Sequence, residues 1–132
     1  MAHIISFSTE KFDVSKETPN PINPIPGQSV LKWIRQNLRS GHYKATEPDT
    51  EDWGWYMDVA GGEASYLVGA SGEPDKSKAA VEWVIQIHKH RSIIEKLLGR
   101  NKMDSNDPLS TMIERLVRSE KAIKNVEVDK NA

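Results

Sequence analysis

The chain has 132 residues, of which 37% are hydrophobic and 28% charged, with four Trp, no Cys and a net charge of −1. That size suits a single domain over residues 1–132 with one core. The near-zero charge argues against a general nucleic-acid binder, which needs a basic excess, and the lack of cysteine excludes disulfides, thiolate metal sites and a cysteine nucleophile.

The first stretch, "MAHIISFSTEKF", has neither the basic nor the apolar region of a signal peptide. No apolar run approaches the roughly 20 residues that cross a bilayer. A cytoplasmic protein without membrane contact is expected. "HIISFST" reads as a strand with Ile5 and Phe7 on one face. Residues 15–26, "SKETPNPINPIP", hold four prolines and read as an extended loop, functional or mobile because of its length. Gly27 to Gly41 reads as a helix, with Val30, Leu31, Trp33, Ile34 and Leu38 on its apolar side. "GHYKAT" is a candidate edge strand.

The densest pattern is "EDWGWYMDVAGGEASYLVGASGE", Glu51 to Glu73. Gly61-Gly62 predicts a two-residue hairpin turn, since glycine tolerates positive φ at both positions. Trp53 then faces Ala70, Trp55 faces Val68, Met57 faces Tyr66 and Val59 faces Ala64, all on one side of the ribbon. The reverse side carries Gly54 opposite Gly69, Tyr56 opposite Leu67, and Asp58 opposite Ser65. "AAVEWVIQIHKHR" is a further strand by alternation, with Trp83, Ile85 and Ile87 inward and Glu82, Val84, Gln86, His88 and His90 outward. "SIIE" has capping-box spacing and opens a short helix through Leu98. Asp107-Pro108 starts a last helix carrying Leu109, Met112, Ile113, Leu116, Val117 and Ile123. Residues 125–132 read as a frayed tail.

These elements predict an α+β fold. An antiparallel sheet of about four to five strands carries an N-terminal crossover helix and C-terminal helices packed on it. The tryptophans read as core and not as an aromatic cage. The reverse sheet face is either covered by the last helix or free to meet a partner or a second copy, and the sequence leaves both open.

Candidates for chemistry are sparse. "GASG", around Ser71, lacks the full spacing of a nucleophile elbow, and "GEPDKSK" lacks a P-loop glycine pattern. His88 and His90 share a strand face and can reach one metal ion, but a third ligand has to come from elsewhere. They centre the alternative reading, a small metal-dependent or acid–base hydrolase. No cofactor is implied.

Charge is distributed unevenly. Residues 45–75 hold eight carboxylates and no Lys or Arg, whereas 89–102 hold five cations against Glu95 alone. The favoured reading is a non-catalytic, immunity-like binding or inhibitor protein. Its acidic surface (Glu47, Asp49, Glu51, Asp52 and Asp58, with Tyr56 and Leu67 as apolar anchors) would meet a protein partner such as a basic enzyme or toxin. A homo-oligomeric structural subunit, in the simplest case a homodimer, is the further alternative.

Overall fold

The computed structural model describes residues 2–39 and 41–132. Strand β1 (Ala2–Thr9) is followed by a short 3-10 turn (Val14–Lys16) and helix α1 (Gln28–Leu38). Next come β2 (Lys44–Ala45), β3 (Asp49–Glu51), β4 (Gly54–Gly61), β5 (Ala64–Glu73) and β6 (Val81–Lys89), then α2 (Ile93–Leu98), α3 (Pro108–Ser119) and β7 (Ile123–Asp129). The described residues thus make an α+β fold with one antiparallel sheet of seven strands, ordered β2-β4-β5-β6-β1-β7, with β3 also on β4. α1 does not join neighbouring strands. It carries the chain from β1, paired with β6 and β7, to β2 at the far edge.

One face of the sheet is dry. Trp55, Met57, Val59, Tyr66, Val68, Trp83, Ile85, Ile87, Ile5 and Phe7 are all buried there. Val30, Leu31, Ile34 and Leu38 from α1, and Leu109, Ile113 and Val117 from α3, close the core. Full burial of a large apolar side chain contributes about 1.5–3 kcal/mol. Both helices lie on this face, so α3 does not cover the reverse side. Ser110 on α3 reaches the core-facing His3, and Asp107 at its start reaches the core-facing Tyr66.

Five expectations need correction. The sheet has seven strands in place of about four to five, because β3 and the C-terminal β7 also pair into it. The hairpin turn is Gly62-Glu63, one residue later than predicted, because Gly61 pairs with Ala64. Gly62 takes the positive φ of 60°. Gly61 serves a different purpose: a Cβ there would lie 2.3 Å from the Tyr43 ring. Partners therefore move by two residues, with Trp55 facing Ala70 and Met57 facing Val68. The even shift keeps each strand residue on its expected face.

Trp53 is not a core residue. It sits in the turn between β3 and β4, and its ring covers Gly69 on the reverse face. Residues 123–129 do not extend the last helix or fray. The helix ends at Ser119 with Glu120 extended, and β7 pairs with β1 through a bulge at Asn125, whose φ is 56°.

The C-terminal helices do not both pack on the sheet. The expected capping box, Ser92 with Glu95, is present in α2, yet this helix buries none of its residues. The N-cap at Asp107 and Pro108 at the start of α3 occur as the sequence indicates.

The proline-rich loop is tied down. The Glu17 carboxylate accepts from the backbone amides of Gly27, Gln28 and Ser29 at 3.0, 3.1 and 3.0 Å, and so caps α1 from a distance. Asn20 donates to the carbonyls of Glu51 and Gly54, and the Gly72 amide donates to Pro26. Gly27, the N-cap residue of α1, has no room for a side chain, since a Cβ there would stand 2.3 Å from the Ala70 carbonyl oxygen.

Candidate functional site

The reverse face of the sheet assembles from pairing alone. Tyr56 lies opposite Gly69 and Asp58 opposite Leu67 on β4 and β5. On β5 and β6, Leu67 lies opposite His88, Gly69 opposite Gln86, and Ser71 opposite Val84. β1 adds Ile4 opposite Gln86. A side chain at Gly69 would lie 2.5 Å from Trp53 and 3.0 Å from Gln86, so the indole rests on bare backbone. The centre of the face is therefore apolar and aromatic, made by Trp53, Tyr56, Leu67, Val84 and Ile4.

Acids surround this centre. β3 sets Asp49 opposite Tyr56 and Glu51 opposite Gly54, so both share the sense of Tyr56. Glu73 lies directly opposite Glu82 at one end of β5 and β6. On β7, Glu127 lies opposite Ser6 and Asp129 opposite Ile4. With Asp58 this makes seven carboxylates, all exposed, against Lys44 and Lys124 on the same side. Of these seven, only Asp58 makes an ion-pair contact among the described residues, with His90 Nε2 at 4.0 Å. The field is felt at the centre. The Tyr56 phenol is pushed above its ordinary pKa, first by Asp49, then by desolvation, and further by Asp58 and Glu51. Opposed like charges such as Glu73 and Glu82 destabilise a sheet, and an approaching cation would relieve that.

The structure gathers Asp49, Glu51, Tyr56, Asp58 and Leu67 on this face. It does not place Glu47 with them, because Arg35 of α1 holds that carboxylate at 2.7 Å. Asp52 occupies the β3–β4 turn beside the face, where its carbonyl accepts from Asn23. From sequence Trp53 is expected in the core, and Glu73, Glu82, Glu127 and Asp129 are not among the site candidates. The alternation in "VEVD" was the available signal for the last two.

His88 lies opposite Leu67, and His90 follows just past the end of β6. His88 Nε2 contacts Gln86 Oε1 at 2.8 Å, and desolvation lowers its pKa. His90 borders a shallow cleft of about 430 Å³ shared with Lys44, Thr46, Asp58 and Ser65. Among the described residues no group of three or more His, Asp or Glu is arranged to hold a metal ion.

A second polar cluster lies inside the core. Asp107 accepts from the Tyr66 hydroxyl at 2.9 Å and from the Ser110 amide at 3.1 Å, with Lys89 Nζ at 3.4 Å. The Ser110 hydroxyl and His3 Nδ1 are 2.5 Å apart. Serine, histidine and carboxylate are thus adjacent, but His3, Ser110 and Asp107 are all buried, and no substrate reaches them. Their chemistry is structural. The cluster fastens the start of α3 to the sheet.

No family model, curated protein or solved structure matches the chain. Among the described residues no helix is long and apolar enough to cross a membrane.

Proposed function

We propose that the chain is a non-catalytic binding protein of the inhibitor or immunity type, and that it docks a basic protein partner, such as a cationic enzyme or toxin, on the open face of its sheet. One observation carries this reading: an apolar, aromatic centre of Trp53, Tyr56, Leu67 and Val84 enclosed by seven carboxylates that lack lysine or arginine partners. Protein interfaces combine such a desolvated aromatic core with a charged rim. The rim speeds encounter with an oppositely charged partner and rejects like-charged ones, while the centre sets the dissociation rate. Immunity proteins and other regulators of toxins work on that physical basis.

The reading is tested by capture from the native host on immobilised chain, at low and high salt, with wild type, Tyr56→Ala and the triple variant Asp49→Asn/Glu51→Gln/Asp58→Asn. The expected result is a basic partner held by wild type, released by salt, and weakened in both variants. One partner held equally by all three proteins at both salt concentrations would exclude this face as the docking surface.

A further inference from the structure

Helix α2 buries none of its residues. Ile93, Ile94, Leu97 and Leu98 make up four of its six residues and are 77%, 68%, 80% and 59% exposed. A helix this short is marginal in water, yet this one is held at both ends. Ser92 and Glu95 form its capping box, Gly99 closes it in the left-handed conformation, and Arg91 donates to the carbonyls of Glu95 and Arg100. The scaffold therefore presents four large aliphatic side chains on a fixed frame without burying them. Exposed apolar patches of this kind mark interaction sites.

The surrounding charge indicates what covers the helix. Arg91, Lys96, Arg100 and Lys102 border it, and none of them makes an ion pair among the described residues. The one acid, Glu95, is occupied by the amide of Ser92 and the side chain of Asn101. α2 is thus an apolar ridge with an unneutralised basic rim. The open sheet face is an apolar floor with an unneutralised acidic rim. The two are complementary in polarity and in sign.

We infer that α2 of one copy docks on the acidic sheet face of a second copy. The contact joins two different patches of one chain, helix to face. It closes as a reciprocal pair, or it propagates. The inference rests on reading the face as an acidic docking surface, and the variants below separate the two.

The experiment is sedimentation velocity from micromolar to millimolar chain, at low and high salt. The helix variant is Ile94→Glu/Leu97→Glu, and the face variant is Asp49→Lys/Glu51→Lys/Asp58→Lys. All five positions are at the surface, and far-ultraviolet circular dichroism checks that both variants fold. Wild type is expected to associate as concentration rises, and less so in salt. Each variant alone should associate about tenfold or more weakly. An equimolar mixture should form a one-to-one complex, because it retains one intact helix and one intact face.

The inference is overturned if wild type stays monomeric throughout. It is equally overturned if association is lost with the helix variant but untouched by the face variant, which would mean α2 packs on α2. A monomer that binds phosphatidylserine vesicles through α2 would overturn it too and assign the helix to an anionic membrane. Capture of the basic partner should survive in the helix variant and fail in the face variant. If it does while self-association fails, only this inference falls. If the mixture forms its complex but no basic partner is captured, only the proposed function falls.

Discussion

The Tyr66 hydroxyl donates to Asp107 Oδ1 at 2.9 Å across 41 residues of sequence, in the interior of the protein. This bond ties a central strand to the residue that caps α3. Burial pushes the Tyr66 phenol well above its ordinary pKa, helped by its bond to Asp107, so it remains a donor. Tyr66→Phe leaves a buried carboxylate with one partner fewer and should destabilise the fold by about 1–3 kcal/mol, measured by urea unfolding. The pH dependence has a definite sign. The unfolded chain releases this proton near pH 10 while the folded chain holds it, so stability falls as pH rises beyond about 10. Tyr43 and Tyr56 are raised too and add to the fall. Tyr66→Phe should therefore flatten the alkaline limb without removing it.

His3 contributes to the other limb, together with carboxylates such as Glu114 whose pKa is lowered in the folded chain. Burial lowers the His3 pKa, against the pull of Asp107, and its buried Nε2 has no hydrogen-bond partner among the described residues. The unfolded chain takes up a proton near pH 6.5 while the folded chain resists it, so stability is present above that pH and declines as pH falls below it. Desolvation lowers His88 in the same direction. Unfolding curves for wild type, His3→Phe and His88→Gln between pH 4 and 8 separate the two. His3→Phe should show the shallower acid decline, and equal slopes in all three would exclude a role for either imidazole.

The same residues show how much of this was legible in the sequence. Strict alternation in 55–59 and 81–87 placed Trp55, Met57, Trp83 and Ile85 on the dry face, because each strand period is two and survives an even slip of register. The turn position was not legible. Gly61 and Gly62 look equivalent in sequence, whereas in the fold the Tyr43 ring packs against Gly61 and Gly62 takes the positive φ. The bulge at Asn125 broke the alternation of β7 and hid it behind the helical spacing of Ile123. The acids of the candidate face were visible individually. Their union was not, since Glu127 and Asp129 join Asp49 and Glu51 only through the order of strands in the sheet. α2 was read correctly as a helix, and its apolar residues gave no sign that they would stay exposed.

Trp53 provides an optical probe of the candidate face. Its ring lies where a Gly69 side chain would have to be, and Gly69 itself has ordinary strand backbone. Gly69→Ala should lift the indole from the sheet at modest cost, because a ring edge can move where backbone cannot. The expected readout is a red-shifted fluorescence component that is missing in Gly69→Ala/Trp53→Phe. Unchanged emission in Gly69→Ala would mean the ring does not rest on the strand. If Trp53 contributes to docking, the same variant should also weaken partner capture.

Glu17 links the proline-rich loop to the site. Its carboxylate takes three backbone amides at the start of α1 as well as the Ser29 hydroxyl, an arrangement that satisfies orphan donors and complements the positive helix end. Loss of such a cap costs about 0.5–2 kcal/mol. Glu17→Ala should show that loss in urea unfolding, and Glu17→Gln, which keeps the acceptor oxygen without the charge, a smaller one. The consequence should extend past α1, because Asn20 in the same loop holds the carbonyls of Glu51 and Gly54, which flank the β3–β4 turn. Amide hydrogen exchange should therefore quicken in Glu17→Ala at residues 49–56 as well as 27–31. Faster exchange confined to α1 would show that the loop does not hold β3, and that the placement of Asp49 and Glu51 on the face depends on β4 alone.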